Sequence, residues 1–135
     1  MKCKISAYKK TVMPIIIGIT VFSCTYTKGD LQVDCIMPNT VSFHQDILPI
    51  FNSQCNISGC HTSGVHAGNL NLEAAVAYSQ LMQPGKGYID TLNPEYSVLY
   101  NKLITTTNPM PLSGKLDNCK INLVLKWIQQ KAKNN

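Results

Sequence analysis

Two cysteines and a histidine stand close together near the middle of the chain, in the segment Cys55-Asn56-Ile57-Ser58-Gly59-Cys60-His61. Thiols act as nucleophiles, pair as disulfides and bind metals, and imidazole is a common metal ligand. Without a cofactor, Cys55 and Cys60 could form a small local disulfide, or they could bind zinc together with His61 and a fourth ligand. His61 could also be an exposed loop residue. These interpretations compete with covalent attachment of a cofactor.

The order Cys, Cys, His resembles the motif of covalent haem attachment, whose usual form is C-x-x-C-H. In that motif two thiols add to the two haem vinyl groups as thioethers, and the adjacent imidazole is the proximal iron ligand. Here four residues separate the cysteines, and Ser58 and Gly59 allow the backbone to loop out. This spacing resembles a minority form of c-type cytochrome. We therefore predict that Cys55 and Cys60 bind one haem c covalently and that His61 is an iron ligand.

A c-type electron carrier usually has a distal methionine, because thioether sulfur favours reduced iron. Met110 lies in Asn108-Pro109-Met110-Pro111, where the flanking prolines stiffen the loop and disfavour helix. Met82 lies in a helical pattern, and filling a core gap is the commoner role of methionine. We predict Met110 as the distal ligand. His44 and His66 remain alternatives, although each is expected to be an exposed loop histidine.

The N-terminal segment has the pattern of an export signal. Four lysines precede an apolar stretch from Val12 to Phe22, which at about eleven residues suits a signal peptide and is too short to span a bilayer as a helix. It ends in Val21-Phe22-Ser23-Cys24, which resembles a bacterial lipobox with an unusually bulky Phe22. The resemblance implies cleavage before Cys24 and acylation of that cysteine. We expect a signal peptide over residues 1–23 and a lipidated tether over residues 24–40.

The charge of the chain agrees with export rather than with nucleic-acid binding. All 12 basic residues are lysines, against 7 acids, and the formal net charge is +5. Four of the lysines belong to the leader, so the chain from Cys24 onward is close to neutral. Arginine, which recognises phosphates bidentately, is absent. We expect the lipid anchor to hold the protein at the outer membrane, on its periplasmic side or at the surface.

The remainder of the chain predicts a small all-α domain over residues 41–135. Helical patterns run from Asp46 as a cap to Gln54, from Leu72 to Met82, and from Asn93 as a cap to about Ile104, and Asp117 caps a last helix. The apolar faces of the last two helices are Tyr96, Leu99, Tyr100 and Leu103, and Ile121, Val124, Leu125 and Ile128, with Trp127 beside the second set. No sustained alternation predicts a β-sheet. Because the helices are few and short, we expect a small core with haem at its centre.

Cys35 and Cys119 are the cysteines that remain after the leader, the lipidation site and the haem motif are assigned. In an oxidising compartment we expect them to form a disulfide. It would join the tether to the start of the last helix. Closing a loop of about 85 residues stabilises a fold by roughly 4 kcal/mol in the chain-entropy model.

Taken together, these landmarks resemble the lipoprotein-borne cytochrome c-like domains common in Bacteroidota. The resemblance covers roughly residues 35–135 and is carried by the segments Ser42-Phe43, Asp46 to Phe51, Cys55 to His61, Asn93-Pro94-Glu95 with Leu99-Tyr100, Met110-Pro111, and Leu116 to Asn135. It implies a class I-like c fold and one-electron transfer to a redox partner that it does not identify.

Other functions receive less support from the sequence. No pattern of acid–base or nucleophile–histidine residues predicts a hydrolase, and a distal Met110 argues against a peroxidase, which needs an open iron site. The contrasting hypothesis is a haem-free binding lipoprotein that is stabilised by disulfides or zinc, with structural roles for Cys55, Cys60 and His61.

Overall fold

The computed structural model describes residues 35–135. The predicted signal peptide, Cys24 and the first part of the tether lie outside the described residues. The regular structure is mostly helical, with α1 (Leu48–Gln54), α2 (Ala77–Leu81), α3 (Val98–Ile104) and α4 (Asn118–Gln129). A π-helical turn at Phe43–Ile47 leads into α1, and 3₁₀ turns lie at Ala67–Asn69 and Pro94–Tyr96. Between residues 35 and 135 no helix is long and apolar enough to cross a membrane.

A small antiparallel hairpin, β1 (His61–Thr62) and β2 (Val65–His66), was not predicted. Each strand has two residues, which is too few for an alternating pattern to be visible in the sequence. The structure is mostly helical, so the helical part of the all-α prediction is confirmed. The hairpin departs from that prediction, and it carries His61.

The first helical segment begins before the predicted residue. The Ser42 hydroxyl accepts a hydrogen bond from the Gln45 N–H at 3.2 Å, and the Asp46 carboxylate accepts one from the Ser42 N–H at 2.7 Å. Ser42 is therefore the N-cap, and the prediction that Asp46 caps the helix is wrong, because Asp46 is the reciprocal partner in this pair of capping bonds. Pro49 lies in the first turn of α1, as expected.

The predicted helix from Asn93 to Ile104 is interrupted at Ser97. The backbone of Ser97 is extended, with φ −55° and ψ 130°, and Asn93 makes no side-chain capping bond. Leu99 and Leu103 are buried on α3 as predicted, whereas Tyr96 lies in the 3₁₀ turn and is 77 % exposed. α2 is also shorter than predicted: Leu72 is buried, but it precedes the helix.

α4 agrees best with the sequence. The Asp117 carboxylate accepts a hydrogen bond from the Lys120 N–H at 2.8 Å, so the predicted cap is confirmed. The ammonium of Lys120 pairs with the same carboxylate. The buried face consists of Ile121, Val124, Trp127 and Ile128. Leu125, which was predicted for this face, is half-buried. Trp127, which was predicted beside the face, is buried as part of it.

The domain has a larger core of its own than the sequence suggested. The Phe43 ring lies 5.4 Å from that of Trp127 and 5.2 Å from that of Tyr78, with the Phe51 ring at 6.4 Å. The Trp127 indole donates to the Lys133 carbonyl. Because aromatic side chains bury large areas, this cluster is the centre of the core. The aromatic side chains of the domain thus supply this part of the core themselves.

The segment before residue 41, predicted as tether, is joined to the domain from Cys35 onward. Cys35 and Cys119 form a disulfide, with 5.5 Å between their Cα atoms. The Gln130 side chain accepts from the Val41 N–H and donates to the Asn39 carbonyl. These bonds connect the N-terminal end of the described chain to α4 and to Gln130, which follows it.

Candidate functional site

The loop that follows α1 brings Cys55, Cys60 and His61 together. The Cys55 N–H continues the helix by donating to Phe51, and the loop then closes where the His61 N–H donates to the Cys55 carbonyl at 3.2 Å. A turn bond from the Cys60 N–H to the Ile57 carbonyl, at 3.0 Å, shapes the segment in between. Gly59 has φ +81°, a conformation that glycine adopts without strain. The four residues between the cysteines therefore form a compact loop.

His61 is fixed by its neighbours on both the backbone and the ring. Its carbonyl accepts from the Leu72 N–H at 2.9 Å, and its Nδ1 lies 3.0 Å from the Leu70 carbonyl oxygen. Because a carbonyl oxygen only accepts hydrogen bonds, Nδ1 carries the ring proton. The other ring nitrogen, Nε2, then keeps its lone pair. Metal-binding histidines are commonly oriented by a bond of this kind.

The turn of the hairpin is held by Glu73. Its carboxylate accepts from the Ser63 N–H at 2.9 Å and from the Asn71 side chain at 3.3 Å. These hydrogen bonds, led by the one from Ser63, lower the pKa of Glu73. The charged carboxylate thereby links the turn to the strand-like segment that supplies Leu70 and Leu72.

The two loop cysteines are free thiols in different surroundings. Cys55 is 8 % exposed, and burial, with a smaller effect of nearby Cys60, raises its pKa to about 11. Cys60 is half-buried. The structure contains no Cys55–Cys60 disulfide. Among residues 35–135 no three histidine, cysteine or acidic side chains converge on a common metal position, so the zinc interpretation gains no ligand set.

A cleft lies next to this loop and consists of two adjoining cavities of about 170 and 230 Å³, both partly open to solvent. Four residues line both cavities: Cys55, His61, Ala67 and Met110. Cys60 lines the second cavity. The remaining wall of the first cavity is mainly apolar: Leu70, Leu72, Val98, Leu99 and Leu103.

Met110 reaches this cleft from the loop between α3 and α4. Its N–H donates to the Lys102 carbonyl at 2.9 Å, which joins the loop to α3. His44 and His66 are both exposed, and neither lines either cavity. Of the distal ligands considered from the sequence, Met110 is the one that shares the cleft with His61.

Several residues of the cleft were not predicted. The Leu70 carbonyl orients His61 through a backbone atom, which leaves no trace in the sequence. Tyr88 lines the first cavity, and its hydroxyl donates to the Gly68 carbonyl at 2.9 Å. Lys102 lines the same cavity. Trp127, which could have contacted either haem or core, lies in the core and lines neither cavity.

The residues of the cleft fit a covalently bound haem. Two unpaired thiols, an imidazole with a free Nε2 and a thioether line a mainly apolar space, and these are the groups that haem c requires. No family model, curated protein or solved structure matches the chain. The residues of the cleft and the leader pattern of the N-terminal sequence are therefore the observations that bear on function.

Proposed function

We propose that the chain is an exported, lipid-anchored c-type cytochrome with one haem that transfers single electrons. The observation that carries this proposal is the cleft, where Cys55, Cys60, His61 and Met110 meet although they span more than fifty positions of the sequence. Haem supplies an iron that cycles between the ferrous and ferric states. The leader and the lipobox-like Cys24 support a location at the outer membrane.

Each thiol has a defined part in this proposal. When haem is bound, the sulfur of Cys55 or Cys60 would bond to one carbon of a vinyl group and the thiol hydrogen would go to the other carbon, with nothing oxidised or reduced. Cys55 is buried and Cys60 is half-buried, and both line the second cavity.

His61 and Met110 are the proposed iron ligands. The Leu70 carbonyl holds the proton of His61 on Nδ1, which keeps Nε2 available for iron. The thioether of Met110 lies on a loop that is fixed to α3 by its own N–H. A methionine ligand stabilises ferrous iron and suits an electron carrier better than an enzyme that must bind a substrate at iron.

Covalent attachment is tested by expressing the full chain with a cytochrome c maturation system and staining the denatured protein for haem. We expect the wild type to stain and the Cys55→Ala/Cys60→Ala variant to lose the stain. The matched control is Cys35→Ala/Cys119→Ala, which also removes two cysteines but keeps the haem sulfurs. An unstained wild type from maturation-competent cells would rule out the proposal and favour the haem-free binding lipoprotein.

Iron ligation is tested by absorption spectroscopy of the matured protein. Met110→Ala should remove the methionine–iron absorption band, whereas Met82→Ala, which changes a methionine outside the cleft, should keep it. His61→Ala should disturb the spectrum far more than His66→Ala. If Met110→Ala leaves the band unchanged, another residue is the distal ligand.

A further inference from the structure

The apolar cleft continues into a third cavity of different character. Val98 and Lys102, about one turn apart on α3, line the first cavity and also a neighbouring one of about 300 Å³. The other walls of this neighbour are polar: Asn101, Thr105 and Thr107. The three cavities, which share lining residues in turn, are together called the trough, and the polar cavity is its polar end.

Lys102 is the one Lys, Asp or Glu among the residues that line these three cavities. Within residues 35–135 the only ion pair joins Lys120 to Asp117, so no carboxylate of the described chain neutralises Lys102. Its backbone is fixed by the bond from the Met110 N–H. An exposed positive charge with no carboxylate partner among the described residues is thus carried by a residue that lines both the first cavity and the polar one.

The Asn101 amide and the Thr105 hydroxyl at this end already have partners. The Asn101 amide donates to the Glu95 and Ser97 carbonyls. The Thr105 hydroxyl donates to the Thr107 carbonyl and accepts from the Thr107 N–H. The ammonium of Lys102 is therefore the group at this end that is best suited to receive an anion from the trough.

We propose that Lys102 forms an anion subsite for a propionate carboxylate of the haem, an inference that rests on the proposed function. Haem carries both propionates on one edge, and neither vinyl group is on that edge. Cys55 and Cys60 would hold the vinyl groups, and Lys102, which lines both the first cavity and the polar one, would bind a carboxylate of the opposite edge. Lys102 would thus be a positioning residue for the carboxylate edge of the ring.

The same contact also affects the iron. A negative carboxylate close to the iron stabilises the ferric state, and the ammonium of Lys102 offsets part of that charge. Removing the positive charge should therefore lower the reduction potential. Reversing it should lower the potential further, and both shifts should shrink as salt screens the charges.

The test is a spectroelectrochemical titration at low ionic strength of the matured full chain and of Lys102→Arg, Lys102→Gln and Lys102→Glu. We expect the potential of Lys102→Arg to be close to that of the wild type, that of Lys102→Gln to be lower, and that of Lys102→Glu to be the lowest. Lys133→Gln removes an exposed lysine that lines none of the three cavities, and it should leave the potential unchanged. Thermal unfolding of each variant, measured in parallel, shows that the folded protein is being compared.

The outcomes separate the two proposals. If the wild type carries covalent haem but the Lys102 series shares one potential, or if Lys133→Gln shifts it equally, the subsite is wrong and the cytochrome proposal stands. If an unstable Lys102 variant shows the expected lower potential in its folded fraction, the subsite is supported. If the wild type carries no covalent haem, both proposals are wrong.

Discussion

Cys55 and Cys60 are five positions apart, yet the structure gives them different chemistry. Cys55 ends α1 and contacts the core, whereas Cys60 lies in a loop that is closed by its own turn bond. Burial disfavours a thiolate, which raises the pKa of Cys55 to about 11 from an ordinary value of 9.0. At neutral pH Cys55 is therefore a protonated thiol, and Cys60 is the more accessible sulfur.

This difference predicts how the stability of the haem-free protein depends on pH. An acid whose pKa is raised by folding keeps its proton in the folded state, so above pH 9 the unfolded state gains free energy by losing that proton. Between pH 9 and 11 the free energy of unfolding should fall by up to about 3 kcal/mol because of Cys55 alone. The measurement is urea unfolding at several pH values for the wild type and Cys55→Ala.

Subtracting the pH dependence of Cys55→Ala from that of the wild type removes the contribution of the titratable groups that the two proteins share. Cys60→Ala is the matched control, because it leaves Cys55 buried and should keep most of the pH dependence. If the free energy of unfolding falls equally with pH in the wild type and in Cys55→Ala, the buried environment assigned to Cys55 is wrong.

At the scale of elements, the sequence predicts what is local and misses what is tertiary. Asp117 caps α4 as predicted because its partner, the Lys120 N–H, is three residues away. The 3₁₀ turn ends at Ser97, whose hydroxyl accepts a hydrogen bond from the Asp90 N–H across a loop. No local sequence pattern predicts this contact. The site behaves in the same way: Cys55, Cys60, His61 and Met110 are recognisable by type and spacing, but the Leu70 carbonyl is not.

Ser97 offers a test of this tertiary break. It is fully buried, and its hydroxyl accepts from the Asp90 N–H at 2.8 Å. Ser97→Ala leaves that N–H without its partner, which should lower the free energy of unfolding by about 1–3 kcal/mol. Ser79→Ala, which removes an exposed hydroxyl that is bonded within its own turn, should change stability by less than about 0.5 kcal/mol. Chemical denaturation compares them, and equal losses would show that the Ser97 bond is not specifically required.

At the scale of the whole molecule, the core and the cleft share a wall. Leu72, Leu99 and Leu103 belong to the buried cluster and also line the first cavity. The shape of the cleft therefore depends on how these core side chains pack.

The disulfide is the other feature that acts on the whole domain. Cys35 and Cys119 are 84 positions apart, so their bond closes almost the entire described chain. A loop of this length restricts the unfolded state, and removing the bond should lower the free energy of unfolding by roughly 4 kcal/mol. The measurement is denaturant unfolding of the wild type and of Cys35→Ala/Cys119→Ala, with and without a reducing agent.

Reduction should destabilise the wild type by about as much as the double substitution does, and it should not affect the variant further. Haem staining of the same variant should stay positive, because neither cysteine lines the cleft. Loss of the stain together with loss of stability would mean that the cleft depends on the disulfide. Unchanged stability would mean that the hydrogen bonds between the Gln130 side chain and the backbone of Val41 and Asn39 are sufficient to hold this end of the chain.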